Sequence, residues 1–370
     1  MRQAPDGDDA DSVCGAVAPV CKGRYAIDEK RHGFDTAGVT VAKPPLLPGP
    51  IGFVLIPQFA SIALASAIEP LRIANRYLRG AYRWKLLSLD GGPVADGNGI
   101  TVQPHGGVFD EPPLGTVIVC ADVQPERYYS RELKRWLQQQ NSTGAALGAL
   151  DTGCFLLARA GLLDGARVTM HWEVLEAFRE RFPRTIVSQT LFELDGRRLT
   201  CAGGTAAIDM VLEAISRDHG RELAARVAEH CLHERMRPGG AGQRMAPAAR
   251  GNIHHPALAQ AVAQLEGTLE RSISVGELAA HVGLSSRQLL RLFAQVIGES
   301  AAHYHRRLRL EHARSLLRYT ALTVTEAAAA VGFESLAHFC RAYRQQYGVS
   351  PGADRQAAPR GAPLVRDRRS

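Results

Sequence analysis

A short residue pattern occurs twice in the last third of the chain, at a nearly constant offset. Each copy has an alanine, a glycine four residues later, and then an arginine two residues before an aromatic residue. The first copy comprises Ala279, Gly283, Arg291 and Phe293, and the second comprises Ala328, Gly332, Arg341 and Tyr343. The offset is 49 residues for the first two positions and 50 for the last two. This repeat predicts two copies of one structural unit.

The residue types in the pattern indicate what that unit is. A small residue fits where one helix crosses another, and glycine tolerates the positive φ of a tight turn between helices. Apolar residues after the turn then hold a second helix whose outer face is free to enter a DNA major groove. We therefore predict two helix-turn-helix units, and two copies at a fixed offset are far more specific than one.

The excess positive charge lies in the same part of the chain. The net charge of the whole chain is +7, and residues 250–370 hold 16 Arg, no Lys and 9 acidic residues, which accounts for all of it. Such an excess suits neutralisation of DNA phosphates. The alternative is an arginine-rich composition with a basic tail, because residues 253–356 alone hold 11 Arg and 8 acidic residues.

Cysteine usage and hydropathy predict a soluble cytoplasmic protein without a membrane partner. The seven cysteines are odd in number and lack metal-ligand spacing, which indicates reduced thiols, no metal and no cofactor. The N-terminus has no secretory signal pattern. Residues 51–68 are apolar, but Pro57 and Gln58 interrupt them, which favours a strand, a turn and a helix over a membrane span.

Short apolar runs alternate with helical segments in the first two thirds of the chain. The predicted strands are 51–57, 84–89, 116–120, 145–151 and 184–189, with a hairpin of 191–194 and 199–201. The predicted helices run from the turn after 57 to about 79, and over 131–140, 204–218 and 222–235. This order predicts an α/β domain with a parallel sheet sandwiched by helices, of flavodoxin-like type.

Composition shifts predict the domain boundaries. We expect a disordered extension over 1–47, the α/β domain over 48–235, a linker rich in Pro, Gly and Ala over 236–252, an all-α domain over 253–356 and a basic disordered tail over 357–370. Within the all-α domain, helices are predicted over 256–270 and over 301–318, the latter joining the two repeats.

The all-α domain resembles the AraC/XylS family of transcription regulators over its whole length. The matching residues include Glu277-Leu278-Ala279, Ser285 through Phe293, Gly298, Arg309-Leu310, Ala313-Arg314, Val331-Gly332-Phe333, His338-Phe339 and Tyr347 through Pro351. Ala301, Ala337 and Cys340 depart from the usual pattern and put the base preference in doubt.

This resemblance implies that the second helix of each unit lies in a major groove of double-stranded DNA. The residues that we expect to contact DNA are Ser286, Arg287, Leu290 and Arg291 in the first unit and Ser335, His338 and Arg341 in the second. The alternative for Arg291 and Arg341 is a phosphate contact or an internal ion pair.

The α/β domain resembles the class I glutamine amidotransferase-like superfamily of PfpI type, as found ahead of AraC domains in GlxA-type regulators. The matching segments are 69–71, 88–92, 150–155, 160–165, 169–172 and 201–204. In the enzymes of this superfamily a nucleophilic cysteine lies at the sharp turn from a strand into a helix.

In this chain the resemblance places Asp151 at the nucleophile position and Thr152 where hydrolytic relatives have a histidine. Cys154 lies three residues after Asp151, and we expect it to be a buried hydrophobic residue. We therefore predict no catalytic residues. Glu69 matches the acid that faces the nucleophile in relatives. The alternative for Asp151 is a plain helix cap.

Two converging carboxylates suit a cation, and the segment around the turn is similar to regulators that sense betaine, carnitine or arginine. Aromatic faces hold quaternary ammonium groups, and the candidates are Trp172 and Phe59, with His171 beside them. The alternatives are a core position for Trp172 and a backbone hydrogen bond for His171.

Together these features predict a nucleoid-associated transcription regulator, of the activating kind, that responds to a small-molecule effector. The resemblance also implies a homodimer and contact with RNA polymerase. The alternative is a bifunctional enzyme, an amidase or hydrolase with a DNA-binding appendage. The residue at position 151 separates the two, because a thiol enzyme needs its cysteine there.

Overall fold

A seven-stranded sheet forms the centre of the first part of the chain. The computed structural model describes residues 44–244, 253–319 and 322–357. The strands of this sheet are β1 (Ile51–Leu55), β2 (Trp84–Ser88), β5 (Gly106–Gly107), β6 (Thr116–Ala121), β7 (Ala146–Asp151), β10 (Phe192–Asp195) and β11 (Arg198–Cys201). Their order is β10-β11-β7-β6-β1-β2-β5, and all neighbours are parallel except the hairpin of β10 and β11. Two small pairs complete the strands, β3 (Val94–Ala95) with β4 (Thr101–Val102), and β8 (Arg167–Val168) with β9 (Ile186–Val187).

Helices cover both faces of the sheet, as the continuous apolar strands require. They are α1 (Ser61–Leu78), α2 (Arg131–Ser142), α3 (Cys154–Arg159), α4 (Leu175–Arg181), α5 (Ala206–His219) and α6 (Arg221–His230). The helices α1, α5 and α6 bury their apolar sides in one core, and α2, α3 and α4 bury theirs in the other. The predicted parallel sheet sandwiched by helices is confirmed. We refer to residues 44–244 as the α/β domain.

Some predicted elements are shorter than the sequence pattern indicated. The strand expected over 184–189 is reduced to Ile186–Val187. The helix expected over 222–235 ends at His230, and Leu232 beyond it has a φ of 51°, which an α-helix cannot continue through. The helix expected over 256–270 ends at Glu266, with Gly267 as its C-cap.

Residues 253–319 and 322–357, which we call the helical domain, contain the repeated pattern. Their helices are α7 (Pro256–Glu266), α8 (Val275–His281), α9 (Ser286–Leu292), α10 (Ala301–Tyr319), α11 (Val324–Ala330), α12 (Leu336–Tyr347) and α13 (Pro351–Ala357). Gly283 joins α8 to α9 and Gly332 joins α11 to α12, each with a φ of +69°. Both turns thus use the left-handed conformation that glycine favours.

The described residues of the expected N-terminal extension and of the expected linker contact the α/β domain. Leu47, within the expected N-terminal extension, is buried in the core, and the amide of Leu46 donates to the Asp218 carboxylate at 3.0 Å. In the predicted linker, the carbonyls of Gly239 and Ala241 accept from the amide of Leu191 at 3.0 Å each. Residues 1–43, 245–252 and 358–370 lie outside the described residues.

No helix within 44–244, 253–319 or 322–357 is both long enough and apolar enough to cross a bilayer.

Candidate functional site

Asp151 lies at a sharp turn between the carboxyl end of β7 and the start of α3. Its φ is 57°, which is an uncommon conformation for a residue with a side chain. Gly153 makes the turn possible, because a Cβ at that position would collide with the Val119 carbonyl oxygen. Gly203, which follows β11, lies against the same carboxylate, and a Cβ there would be 2.5 Å from Asp151 Oδ2. The close approach at Gly153 thus permits the turn, and the one at Gly203 places backbone directly against the Asp151 carboxylate.

The Asp151 carboxylate is buried and has no partner of its own. The residue is 7% exposed, and within the described part of the chain no donor makes a hydrogen bond to its side chain. Burial raises the pKa of Asp151 well above its usual range, and the negative charges of Asp122 and Glu173 raise it further. A carboxyl group in this state favours the arrival of a positive charge.

Asp122 and Glu173 form an acidic cluster with Asp151, and His171 belongs to it. Burial raises the pKa of Asp122, with a further rise from Glu173 opposed by His171. Burial lowers the pKa of His171, although the charges of Glu173 and Asp122 act in the opposite direction. Asp122 and Glu173 thus lie close enough to both Asp151 and His171 for their charges to act on each.

The neighbours of Asp151 in the turn have structural contacts. The Thr152 hydroxyl donates to the Asp122 carbonyl oxygen and is 1% exposed, so it holds the Asp122 loop in place. Cys154 is fully buried, and its thiol donates to the Thr169 carbonyl oxygen at 3.4 Å. Burial also raises the pKa of the Cys154 thiol, which keeps it protonated at neutral pH.

Trp172 is the exposed aromatic residue at this site. Its ring lies 5.4 Å from the His171 ring, and 38% of the residue is accessible. The guanidinium of Arg244 stacks over the Trp172 ring at 4.4 Å from its centroid. A core position for Trp172 is therefore wrong, and a cation already occupies one aromatic face.

Two residues that we expected in the pocket lie elsewhere. Glu69 is on the solvent face of α1, because Ala67 and Leu71 supply its buried face, and its carboxylate pairs with Arg72. The hydrogen bond from Arg72 also lowers the pKa of Glu69. The Phe59 side chain is fully buried among apolar residues of the core, so its ring presents no open face.

Asp122 and Glu173 are the acids that the sequence analysis missed. Asp122 directly follows β6, and ligands of open α/β sheets bind beyond the carboxyl ends of the central strands. That rule could have identified Asp122 from the strand prediction alone. Glu173 follows Trp172 directly, but its closeness to Asp151 depends on how the loop after β8 folds back.

The expected DNA-contacting face of the first unit is open to solvent. Ser286, Arg287, Leu290 and Arg291 are all exposed. The neighbouring Ser285 begins α9 through a capping box with Gln288, which leaves Ser286 available. Neither Arg287 nor Arg291 forms an ion pair within the described residues.

The second unit presents His338 and Arg341 in the same way. Both are exposed, and Arg341 has no ion pair in the part of the helical domain that the structure describes. Ser335 is also exposed, but its hydroxyl accepts from the His338 amide as the cap of α12. Its hydroxyl can still donate a hydrogen bond, and the centroid of the His338 ring lies 5.6 Å from that of the Phe333 ring.

Comparison with known proteins places this arrangement in a family. The model of a family described as a helix-turn-helix domain matches residues 278–357. The HTH-type transcriptional regulator GbdR of Pseudomonas aeruginosa is 44% identical over 319 residues, covering 86% of this chain and 87% of that protein. CdhR, an HTH-type transcriptional regulator of the same organism, is 41% identical over 313 residues, which cover 85% of this chain and 93% of CdhR.

A third relative comes from another organism. The HTH-type transcriptional regulator GlxA of Rhizobium meliloti is 36% identical over 308 residues, which cover 83% of this chain and 95% of that protein. The matches extend through both domains, so they include the Asp151 site as well as the repeated units. The chain belongs to this family of DNA-binding HTH-type transcriptional regulators, and in it the α/β domain precedes the helix-turn-helix domain.

Proposed function

We propose that the α/β domain is a non-catalytic sensor of a small cationic metabolite of the betaine, carnitine or arginine class. The observation that carries the proposal is the Asp151 side chain, which is largely buried, accepts no hydrogen bond from the described residues and is within range of the negative charges of Asp122 and Glu173. A quaternary ammonium or guanidinium group would neutralise this cluster, and Trp172 offers an aromatic surface beside it.

The helical domain would convert this signal into a change in transcription. The exposed faces of α9 and α12 would read major grooves of double-stranded DNA, with Arg287, Arg291 and Arg341 as the main contacts. We further propose that the protein acts on the cytoplasmic nucleoid as a homodimer, and that it activates transcription through contact with RNA polymerase. Activation is proposed on the resemblance of the helical domain to AraC-type domains.

The sensor proposal predicts that Asp151→Asn abolishes ligand binding without loss of fold. The variant should melt at the same temperature as the wild type or higher, because it removes an unpaired buried carboxylate. Titration calorimetry of the full chain with glycine betaine, carnitine, dimethylglycine and arginine measures the binding. Asp164→Asn is the matched control, since Asp164 is an exposed partner of Arg184 away from the site.

The pH dependence of binding provides a second test of the same prediction. Asp151 has a raised pKa, so it is neutral at low pH and gains its charge as the pH rises through that pKa. Affinity for a cation should therefore increase with pH and then level off. Binding that is equal in the wild type and Asp151→Asn at every pH would contradict the carboxylate site.

For DNA recognition, we expect Arg291→Ala and Arg341→Ala each to weaken binding to the preferred duplex by about 1–3 kcal/mol. The preferred duplex can be selected from random sequences with the full chain, and affinities measured by fluorescence anisotropy. Relaxed base preference identifies a base contact, and uniform weakening identifies a phosphate contact. Arg226→Ala, on α6 of the α/β domain, is the control. Unchanged affinity in both variants would contradict the proposed recognition face.

The alternative function, a thiol-dependent amidase or hydrolase, makes an opposite prediction at Cys154. We expect no labelling of Cys154 by a maleimide at pH 7.5, because the thiol is buried and its pKa is raised by burial. Peptide mapping by mass spectrometry reads out Cys154, with the half-buried Cys231 as an internal comparison. Selective labelling of Cys154, together with turnover of an amide substrate, would favour the enzyme.

A further inference from the structure

The chain segment that leaves the α/β domain is held against the loop that carries Trp172. The Gln243 side-chain amide donates to the Thr169 hydroxyl at 2.9 Å, to the Met170 carbonyl at 2.9 Å and to the Thr190 carbonyl at 2.8 Å. The two hydrogens of this amide nitrogen are shared among the three acceptors, which fixes the position of the side chain. The next residue, Arg244, therefore starts from a defined place beside the loop that carries Trp172.

Arg244 connects the aromatic surface of the site to the helical domain. Its guanidinium lies 4.4 Å from the centre of the Trp172 ring, and its Nη2 is 3.8 Å from Glu266 Oε1 at the end of α7. Glu266 in turn accepts a hydrogen bond from the Tyr304 hydroxyl of α10 at 3.1 Å. One arginine thus contacts the proposed effector site and the first helix of the helical domain together.

The residues that follow Trp172 make a second contact with the helical domain. The Glu173 carbonyl oxygen accepts from the Ser315 hydroxyl of α10, the helix that joins the two repeated units. Ala177 of α4 is buried in the same apolar cluster as Leu316 and Phe339. The loop that lines the acidic cluster is therefore also part of the surface on which α10 rests.

We infer that Arg244 acts as an internal cation that occupies the Trp172 face, and that the effector competes with it for this position. The inference rests on the proposed function. The face that Arg244 covers is the kind of surface that a quaternary ammonium group prefers, and one ring face holds one cation. A bound effector would displace Arg244, loosen its contact with Glu266 and so weaken the hold on α7.

Competition of this kind is reciprocal. If the effector weakens the Arg244 contact, the Arg244 contact must weaken effector binding by the same factor. Removing the guanidinium should therefore make the site more available, and it should leave the helical domain in the state that the effector otherwise produces.

The test uses the full chain with Arg244→Gln and measures the binding of glycine betaine and tetramethylammonium by calorimetry. We expect binding about two- to fivefold tighter than in the wild type, the range set by an exposed cation–π contact. The affinity of Arg244→Lys should lie between those of the wild type and Arg244→Gln, since lysine keeps the charge but loses the planar stacking. Arg226→Gln is the matched control, because Arg226 also lies over an aromatic ring, that of Tyr77 at 6.0 Å, and pairs with Glu222.

A second readout follows the helical domain directly. Hydrogen–deuterium exchange in the peptide of α7 should rise in the wild type when glycine betaine is added, and it should already be raised in Arg244→Gln without ligand. Equal or weaker ligand binding in Arg244→Gln overturns the competition while the sensor proposal stands. If neither the wild type nor the variant binds these two probes, carnitine, dimethylglycine or arginine, the sensor proposal fails and this inference fails with it.

Discussion

Replacing Gly332 with alanine is expected to destabilise the helical domain by about 3–5 kcal/mol, whereas the same change at Gly283 should cost about 1–2 kcal/mol. The two glycines hold equivalent places in the repeated units, and both have a φ of +69°. The strain of a left-handed alanine is therefore common to both variants. The difference comes from the surroundings of the added methyl group.

At Gly283 the added Cβ would have no heavy atom within 4 Å. At Gly332 it would collide with the Glu270 carbonyl oxygen, and it would lie 2.8 Å from the carbonyl carbon of Glu270 and 2.9 Å from Cα of Arg271. These are backbone atoms, which cannot rotate away as a side chain can. The turn of the second unit must therefore open, or the chain at 270–271 must shift.

Urea denaturation of both variants, followed by hydrogen–deuterium exchange in the peptides of α8 and α12, measures the two costs separately. Each variant serves as the control for the other, because the substitution and the backbone conformation are the same. Equal destabilisation of the two variants would show that the close approach at Gly332 is absent in solution.

Gly283 and Gly332 also show which features of the fold the sequence can predict. The repeat predicts a turn glycine in each unit, because that requirement is local and depends on a few neighbouring residues. It could not predict the inequality of the two glycines. The residues that crowd Gly332 are some 60 positions earlier in the chain, and only the packing of the two units brings them there.

The same division between local and distant effects applies to the proposed effector site. The position of Asp151 in a strand-to-helix turn was predictable, since the apolar strand before it and the Gly153 after it are contiguous with it. The prediction that Glu69 lies in the pocket was wrong, because it did not take into account which face of α1 the residue occupies. The buried positions Ala67 and Leu71 flank Glu69 and turn it towards solvent.

The contacts of Arg244 were beyond sequence reasoning for a further reason. A segment rich in Pro, Gly and Ala has no periodicity, so its composition predicts a linker and nothing about where it lies. Its position is set by hydrogen bonds from Gln243 to residues more than 50 positions away. Side chains of this kind leave no pattern in a single sequence.

The second large effect is expected at Asp354, on the last described helix. Its carboxylate accepts from Arg314 Nε at 2.7 Å, from Arg318 Nη2 at 2.9 Å and from the Tyr343 hydroxyl at 2.7 Å. The Asp354 side chain is 6% exposed, while the two arginines are about one third exposed. One buried acid thus joins α13 to α10 and α12.

Replacing Asp354 with asparagine should destabilise the helical domain by about 3 kcal/mol. The change leaves the shape of the side chain intact but removes the charge that the two arginines neutralise, and an amide cannot accept all three hydrogen bonds equally well. Glu311→Gln is the matched control on α10. Its carboxylate is 44% exposed and pairs with Arg307, so its loss should cost about 0.5 kcal/mol or less.

The pH dependence of this difference tests its electrostatic origin. Burial alone would raise the pKa of Asp354, but the hydrogen bonds from Arg318, Tyr343 and Arg314 lower it to about 2. A carboxylate with a lowered pKa stabilises the fold at pH values above its unfolded pKa of about 4, and loses this contribution as the pH falls through about 2. The difference in unfolding free energy between the wild type and Asp354→Asn should therefore be constant above about pH 5 and shrink below pH 4. A difference that stayed unchanged from pH 7 to pH 2.5 would mean that shape and packing, and not the carboxylate charge, hold the last helix in place.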